Sequence, residues 1–107
     1  MTKIGLISDT HGYLDEAVFE HFKDCDEIWH AGDFGTINLV KDLQNGLLNK
    51  GNKVIIRGIF GNIDGKDIRS VYPENLVFNC EDVKIMMQHD LNYVIRFKDR
   101  DSLKRYE

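Results

Sequence analysis

The sequence predicts an α/β fold, a βαβαβ half followed by a β-hairpin. Three apolar runs end on polar residues, within Ile4 to Asp9, Glu27 to Asp33 and Lys53 to Asp64. Between them lie two stretches with the three-to-four residue spacing of helices. Beyond Gly65 two short strand-like runs are joined by a polar turn. Strand alternating with helix implies a parallel sheet with right-handed crossovers.

The first strand, Ile4-Gly5-Leu6-Ile7, runs into Ser8-Asp9-Thr10-His11-Gly12. A buried strand has no packing use for Asp9 or His11. At its carboxyl end they project into the crevice where open α/β sheets place ligands. Tyr13 to Lys23 carries Leu14, Val18 and Phe22 four apart on one helical face. Asp15 and Glu16 suit its first turn, because they face the positive end of the helix dipole. The second strand, Glu27 to His30, leads to Ala31-Gly32-Asp33. A second helix from about Thr36 to Leu48 lines up Ile37, Val40, Leu43 and Leu47, and Gly51 is placed to end it. The third strand, Lys53 to Arg57, leads to Gly61-Asn62-Ile63-Asp64. Leu76-Val77-Phe78 and Val83 to Met87 form the hairpin about Cys80-Glu81-Asp82, with Pro73 in the connection before it. The charged end, Arg96 to Glu107, reads as a frayed helix on a solvated surface.

At 107 residues this is one domain, 1–107, near the lower size at which a core is self-sufficient. Six Phe, four Tyr and many aliphatic residues can build that core. With 18 acids against 14 bases the net charge is −4, and no basic stretch offers a phosphate-backbone footprint. High-affinity nucleic-acid binding is not expected. No apolar run reaches bilayer length, so neither is a membrane span. Cys25 and Cys80 lie far apart outside any C-x-x-C pair and read as reduced core thiols. With no signal peptide before the first strand, the expected compartment is the cytoplasm.

Asp9, His11, Asp33 and Asn62 make a mixed oxygen and nitrogen donor set. Carboxylate and imidazole suit a divalent transition metal, and the absence of thiolate argues against structural zinc. Gly12, Gly32 and Gly61 flank these residues where the chain must turn sharply and let a substrate approach. A carboxylate such as Asp33 can bridge two cations, and two cations about 4 Å apart can clamp both oxygens of an in-line displacement at phosphorus. Taken singly, Asp9 is a helix cap, His11 a loop residue, and Asp33 and Asn62 ordinary turn residues. Their recurrence at three strand ends favours the metal. His30 reads as a strand or supporting residue rather than a ligand, His21 as solvated and Trp29 as a core anchor. Met86 and Met87 are neighbours on one strand and so face opposite sides.

Ser-Asp-Thr-His-Gly, His-Ala-Gly-Asp and Gly-Asn-Ile-Asp, followed by His89 after a later strand, resemble the calcineurin-like metallophosphoesterase superfamily, closest to its small bacterial and archaeal phosphodiesterases. The resemblance covers roughly residues 3 to 90. It implies a partial four-layer α-β-β-α sandwich and hydrolysis of phosphate esters by a metal-bound hydroxide. It implies two divalent metals, manganese first, with iron, nickel or zinc as alternatives. Asp9 and His11 would hold the first, Asp33 would bridge, and Asn62 and His89 would hold the second. Asn62 could also touch a phosphate oxygen, and no catalytic group beyond the ligands is implied. His89 rests on the resemblance, since a histidine closing a strand is as often a surface residue.

The sequence departs from the family pattern in places. Phe34-Gly35-Thr36 lacks the second aspartate of many members, and Ile63 stands where a histidine often protonates the leaving group. Asp90 replaces a glycine, and no Gly-His-x-His follows, the histidines being 11, 21, 30 and 89. The chain therefore reads as a family member cut short, or one diverging from about His89, with an unpaired hairpin edge and uncovered apolar surface. The expected function is metal-dependent hydrolysis of a phosphodiester or phosphomonoester small molecule, impaired by truncation. The alternative is a non-catalytic scaffold or subunit, homo-oligomeric through the uncovered sheet.

Overall fold

The structure, a computed structural model, describes residues 2–81, 83–88 and 103–105. Among the described residues, six strands and three helices follow in the order β1 (Ile4–Ile7), α1 (Glu16–Phe22), β2 (Glu27–His30), α2 (Ile37–Asn49), β3 (Ile55–Gly58), α3 (Lys66–Arg69), β4 (Asn75–Cys80), β5 (Val83–Gln88) and β6 (Leu103–Arg105). One sheet has the order β3-β2-β1-β6 with every pairing parallel, and β4 and β5 form a separate antiparallel hairpin. Helices on one side and the hairpin on the other make three layers, α-β-β, of the four-layer arrangement expected.

Alternation along the strands sorts the core onto the two faces of the parallel sheet. Ile4, Leu6 and Trp29 face the hairpin and pack with Ile85 and Met87, with Leu76, Phe78, Cys80 and Val83 around them. Ile7 and Ile28 face the helices and pack with Val18 and Phe22 of α1 and Leu43 and Leu47 of α2. Gly5 lies on that helical face, where a Cβ would sit 2.7 Å from Ile28 Cδ1 and 2.9 Å from Phe22 Cδ1. Trp29 is fully buried, edge-on to Phe78 at 4.9 Å, and donates from Nε1 to Glu27 Oε1 at 3.1 Å. Met87 is fully buried and Met86 is exposed, as their opposite facing requires. Cys25 belongs to the helical side and Cys80 to the hairpin side, so the sheet separates them and both are reduced thiols.

Element ends follow local chemistry. Asp15 sits just before α1 and accepts from Ala17 N at 2.9 Å, so the helix starts at Glu16 rather than Tyr13. At the end of α2, Gly51 adopts φ 80°, with Gly51 N bonded to Leu48 O and Asn52 N to Leu47 O, both at 2.9 Å. Those two bonds define a Schellman motif and satisfy the last carbonyls. The start of α2 is capped from a distance, because Thr36 makes no side-chain cap bond while Asp67 Oδ2 accepts from Ile37 N at 2.9 Å.

The charged end differs from expectation. Residues Leu103–Arg105 are a strand, not a frayed helix, and pair in parallel with Ile4 to Leu6. The physical reason lies in β1. Its buried backbone must find hydrogen-bond partners on both edges, β2 supplies one, and a passing segment supplies the other. The short helix α3 carries too few residues to show a period.

Candidate metal centre

The loops that leave β1, β2 and β3 meet at the carboxyl end of the parallel sheet. The chain is fed there by strands in parallel register, Ile7 opposite His30 and His30 opposite Gly58. Asp9, His11 and Asp33 converge so that one ligand atom from each lies within 4.8 Å of the others. Asp9 and His11 are exposed and Asp33 is buried.

All three sit in the left-handed region, at φ 55° for Asp9, 51° for His11 and 59° for Asp33. For non-glycine residues that costs on the order of 1–3 kcal/mol each and persists only where the surroundings over-determine it. Here a ladder of backbone bonds does so. Asp9 N donates to Gly32 O at 2.9 Å, His11 N to Asp33 O at 3.1 Å and Gly12 N to Phe34 O at 2.7 Å. The first two loops are thereby laced together residue by residue.

The third loop is fixed to the second by carboxylates. Ile63 N donates to Asp33 Oδ1 at 3.1 Å. Asp64, buried, accepts from Gly35 N at 3.0 Å and Gly61 N at 2.8 Å. The Arg69 guanidinium lies over Phe60 at 4.3 Å and donates to the carbonyls of Asp64 and Gly61. Gly61 is glycine for want of room, since a Cβ there would lie 2.2 Å from Asp33 Oδ1 and 2.5 Å from Asp33 N. Gly35 combines φ 100° with a Cβ position 2.2 Å from Gly12 N.

Among the expected site residues, the structure brings Asp9, His11 and Asp33 together. Asn62 is exposed on the turn between Gly61 and Ile63, both of which touch Asp33. His89 lies outside the described residues. Sequence reasoning overlooked Asp64, Thr10 and Gly35; the available signal was that Thr10 and Asp64 stand inside strand-end runs and Gly35 two residues beyond one. His30 is fully buried, with Nε2 3.0 Å from Thr10 Oγ1. Behind it, Phe34 stacks on His30 at 3.7 Å and Tyr72 on Phe34 at 4.9 Å. Burial pushes the Tyr72 hydroxyl above its ordinary range.

The donor set fits a divalent cation. Bonds of about 2.0–2.2 Å allow two donors of one ion to stand at most roughly 4.4 Å apart. A cluster within 4.8 Å comes within that limit by side-chain rotation alone. Two carboxylates and an imidazole leave coordination positions for water and substrate, as catalytic rather than structural sites do.

The family model described as calcineurin-like phosphoesterase superfamily domain matches residues 2–106. The chain belongs to the calcineurin-like phosphoesterase superfamily. Comparison with curated proteins and with solved structures returned no match. Metal dependence is a property of this phosphoesterase superfamily, and the cluster of Asp9, His11 and Asp33 is this member's candidate site. No helix among the described residues is long and apolar enough to cross a membrane.

Proposed function

We propose that this superfamily member hydrolyses a small phosphate ester, a phosphodiester or phosphomonoester, with Asp9, His11 and Asp33 as ligands of the first cation. The observation that carries this reading is the convergence of those three side chains at strand ends. Asn62, on the turn next to Asp33, is the proposed ligand of a second cation and contact to a phosphate oxygen, and His89 is the remaining proposed ligand. Manganese is the first choice of metal, with iron, nickel and zinc chemically close. A bound cation would supply Lewis-acid stabilisation of phosphoryl oxygens and a more acidic water. The chain's own residues supply fixed donors at an open sheet end, so that substrate can reach the site from solvent. Helices and hairpin pack on opposite faces of the same parallel sheet, which favours a single domain. Two reduced thiols on opposite faces of the sheet suit the cytoplasm.

Elemental analysis should find stoichiometric metal, and manganese should support cleavage of a generic aryl phosphodiester. Asp9→Ala and Asp33→Ala should each lower that cleavage by at least about tenfold to a hundredfold. If neither variant changes metal-dependent cleavage, the enzymatic reading fails. A non-catalytic subunit would then take its place, supported by the exposed cross-strand pair Val77 and Met86 on the outer face of the hairpin.

A further inference from the structure

We propose that His30 is a positioning residue, a neutral imidazole protonated at Nε2 that works through Thr10 to aim Asp9 and His11. The proposal rests on reading those two side chains as ligands. Its starting point is that Thr10 stands between them in the chain, so whatever fixes Thr10 fixes both.

The hydrogen bonds run in one direction. Gly32 N donates to His30 Nδ1 at 3.2 Å. A backbone N–H cannot accept, so Nδ1 carries no proton, and the proton of the neutral ring is on Nε2. Nε2 is 3.0 Å from Thr10 Oγ1 and donates to it. The Thr10 hydroxyl spends its own hydrogen on Phe34 O at 2.9 Å. That carbonyl also receives Gly12 N at 2.7 Å, so both of its lone pairs are used. The chain of donors therefore starts at Gly32, passes through His30 and Thr10, and ends at Phe34, joining the β1 and β2 loops at side-chain level.

Burial makes the link consequential. His30 is fully buried and its ring lies flat on Phe34, 3.7 Å away at an interplanar angle of 11°. The ring cannot swing without unstacking. With Thr10 turned inward to meet it, Asp9 and His11 on either side are turned outward, exposed and in left-handed conformations. His30 thus acts on the ligands without touching the cation they would hold, in the way hydrogen-bond partners behind metal ligands tune affinity.

Nitrogen-15 NMR of the metal-free wild type should show His30 protonated at Nε2 and bare at Nδ1; the opposite tautomer would overturn the proposal. Thr10→Val removes the hydroxyl at constant shape, and Thr10→Ser keeps it. Thr10→Val should weaken Mn²⁺ binding by calorimetry about 10- to 100-fold. It should also speed amide exchange at His11 and Gly12 in the metal-free protein, with Thr10→Ser close to wild type. If Thr10→Val and Thr10→Ser behave alike in exchange, the proposal is wrong. A wild type that takes up no Mn²⁺ would refute the metal reading instead, while the tautomer and exchange results still decide the role of His30.

Discussion

At the scale of single residues, the site depends on one missing side chain as much as on those present. Gly61 leaves room for the Asp33 carboxylate, whose Oδ1 would otherwise meet a Cβ at 2.2 Å. Turning the carboxylate aside would not make room, since the backbone Asp33 N lies 2.5 Å from the same position. Gly61→Ala must therefore move backbone and should destabilise the protein by about 1–3 kcal/mol in urea unfolding. It should also weaken Mn²⁺ binding in calorimetric titration, because Asp33 is displaced. Asp9, His11 and Asp33 were legible in the sequence as polar residues ending apolar runs. The frame that holds them was not. His30 alone was read as a supporting residue; Asp64 and Thr10 act across 29 and 24 residues on Gly35 N and Phe34 O, backbone groups that carry no sequence signature. No side-chain pattern announces a bond to a backbone group.

At the scale of elements, periodicity located the helices and strands, while their ends were set by caps. The spacing of Leu14, Val18 and Phe22 marks a helical face, yet Leu14 precedes the helix because Asp15 caps it. The Gly51 stop was visible, being a local event. The α2 start at Thr36 was legible too, but the group that caps it was not, since Asp67 comes from the first turn of α3, a helix too short to leave a period. Asp67→Ala should destabilise the protein by about 0.5–2 kcal/mol, the usual worth of such a cap, measured by thermal unfolding. The same change should leave α1 protection in hydrogen exchange untouched, because α1 has its own cap. β6 was missed for another reason. Leu103-Lys104-Arg105 has no strand signature of its own, and its conformation is dictated by the open edge of β1.

At the scale of the molecule, two apolar interfaces meet at one parallel sheet, the helices on one face and the hairpin on the other. That layering was implied by the family resemblance, while the order of strands and helices in the sequence put the candidate ligands at the carboxyl end of a parallel sheet. The left-handed angles of Asp9, His11 and Asp33 are held by protein groups, the carbonyls of Gly32, Asp33 and Phe34 and the Thr10–His30 link. The work of arranging the donors is therefore done while the sheet assembles. Small zinc domains stand at the other extreme, where the ion itself supplies the folding energy. A chelator should strip a bound cation from this protein while leaving its circular-dichroism spectrum unchanged. Loading and loss of an ion would then be reversible events on a finished scaffold, so occupancy would follow the free metal supply without any chain having to be remade.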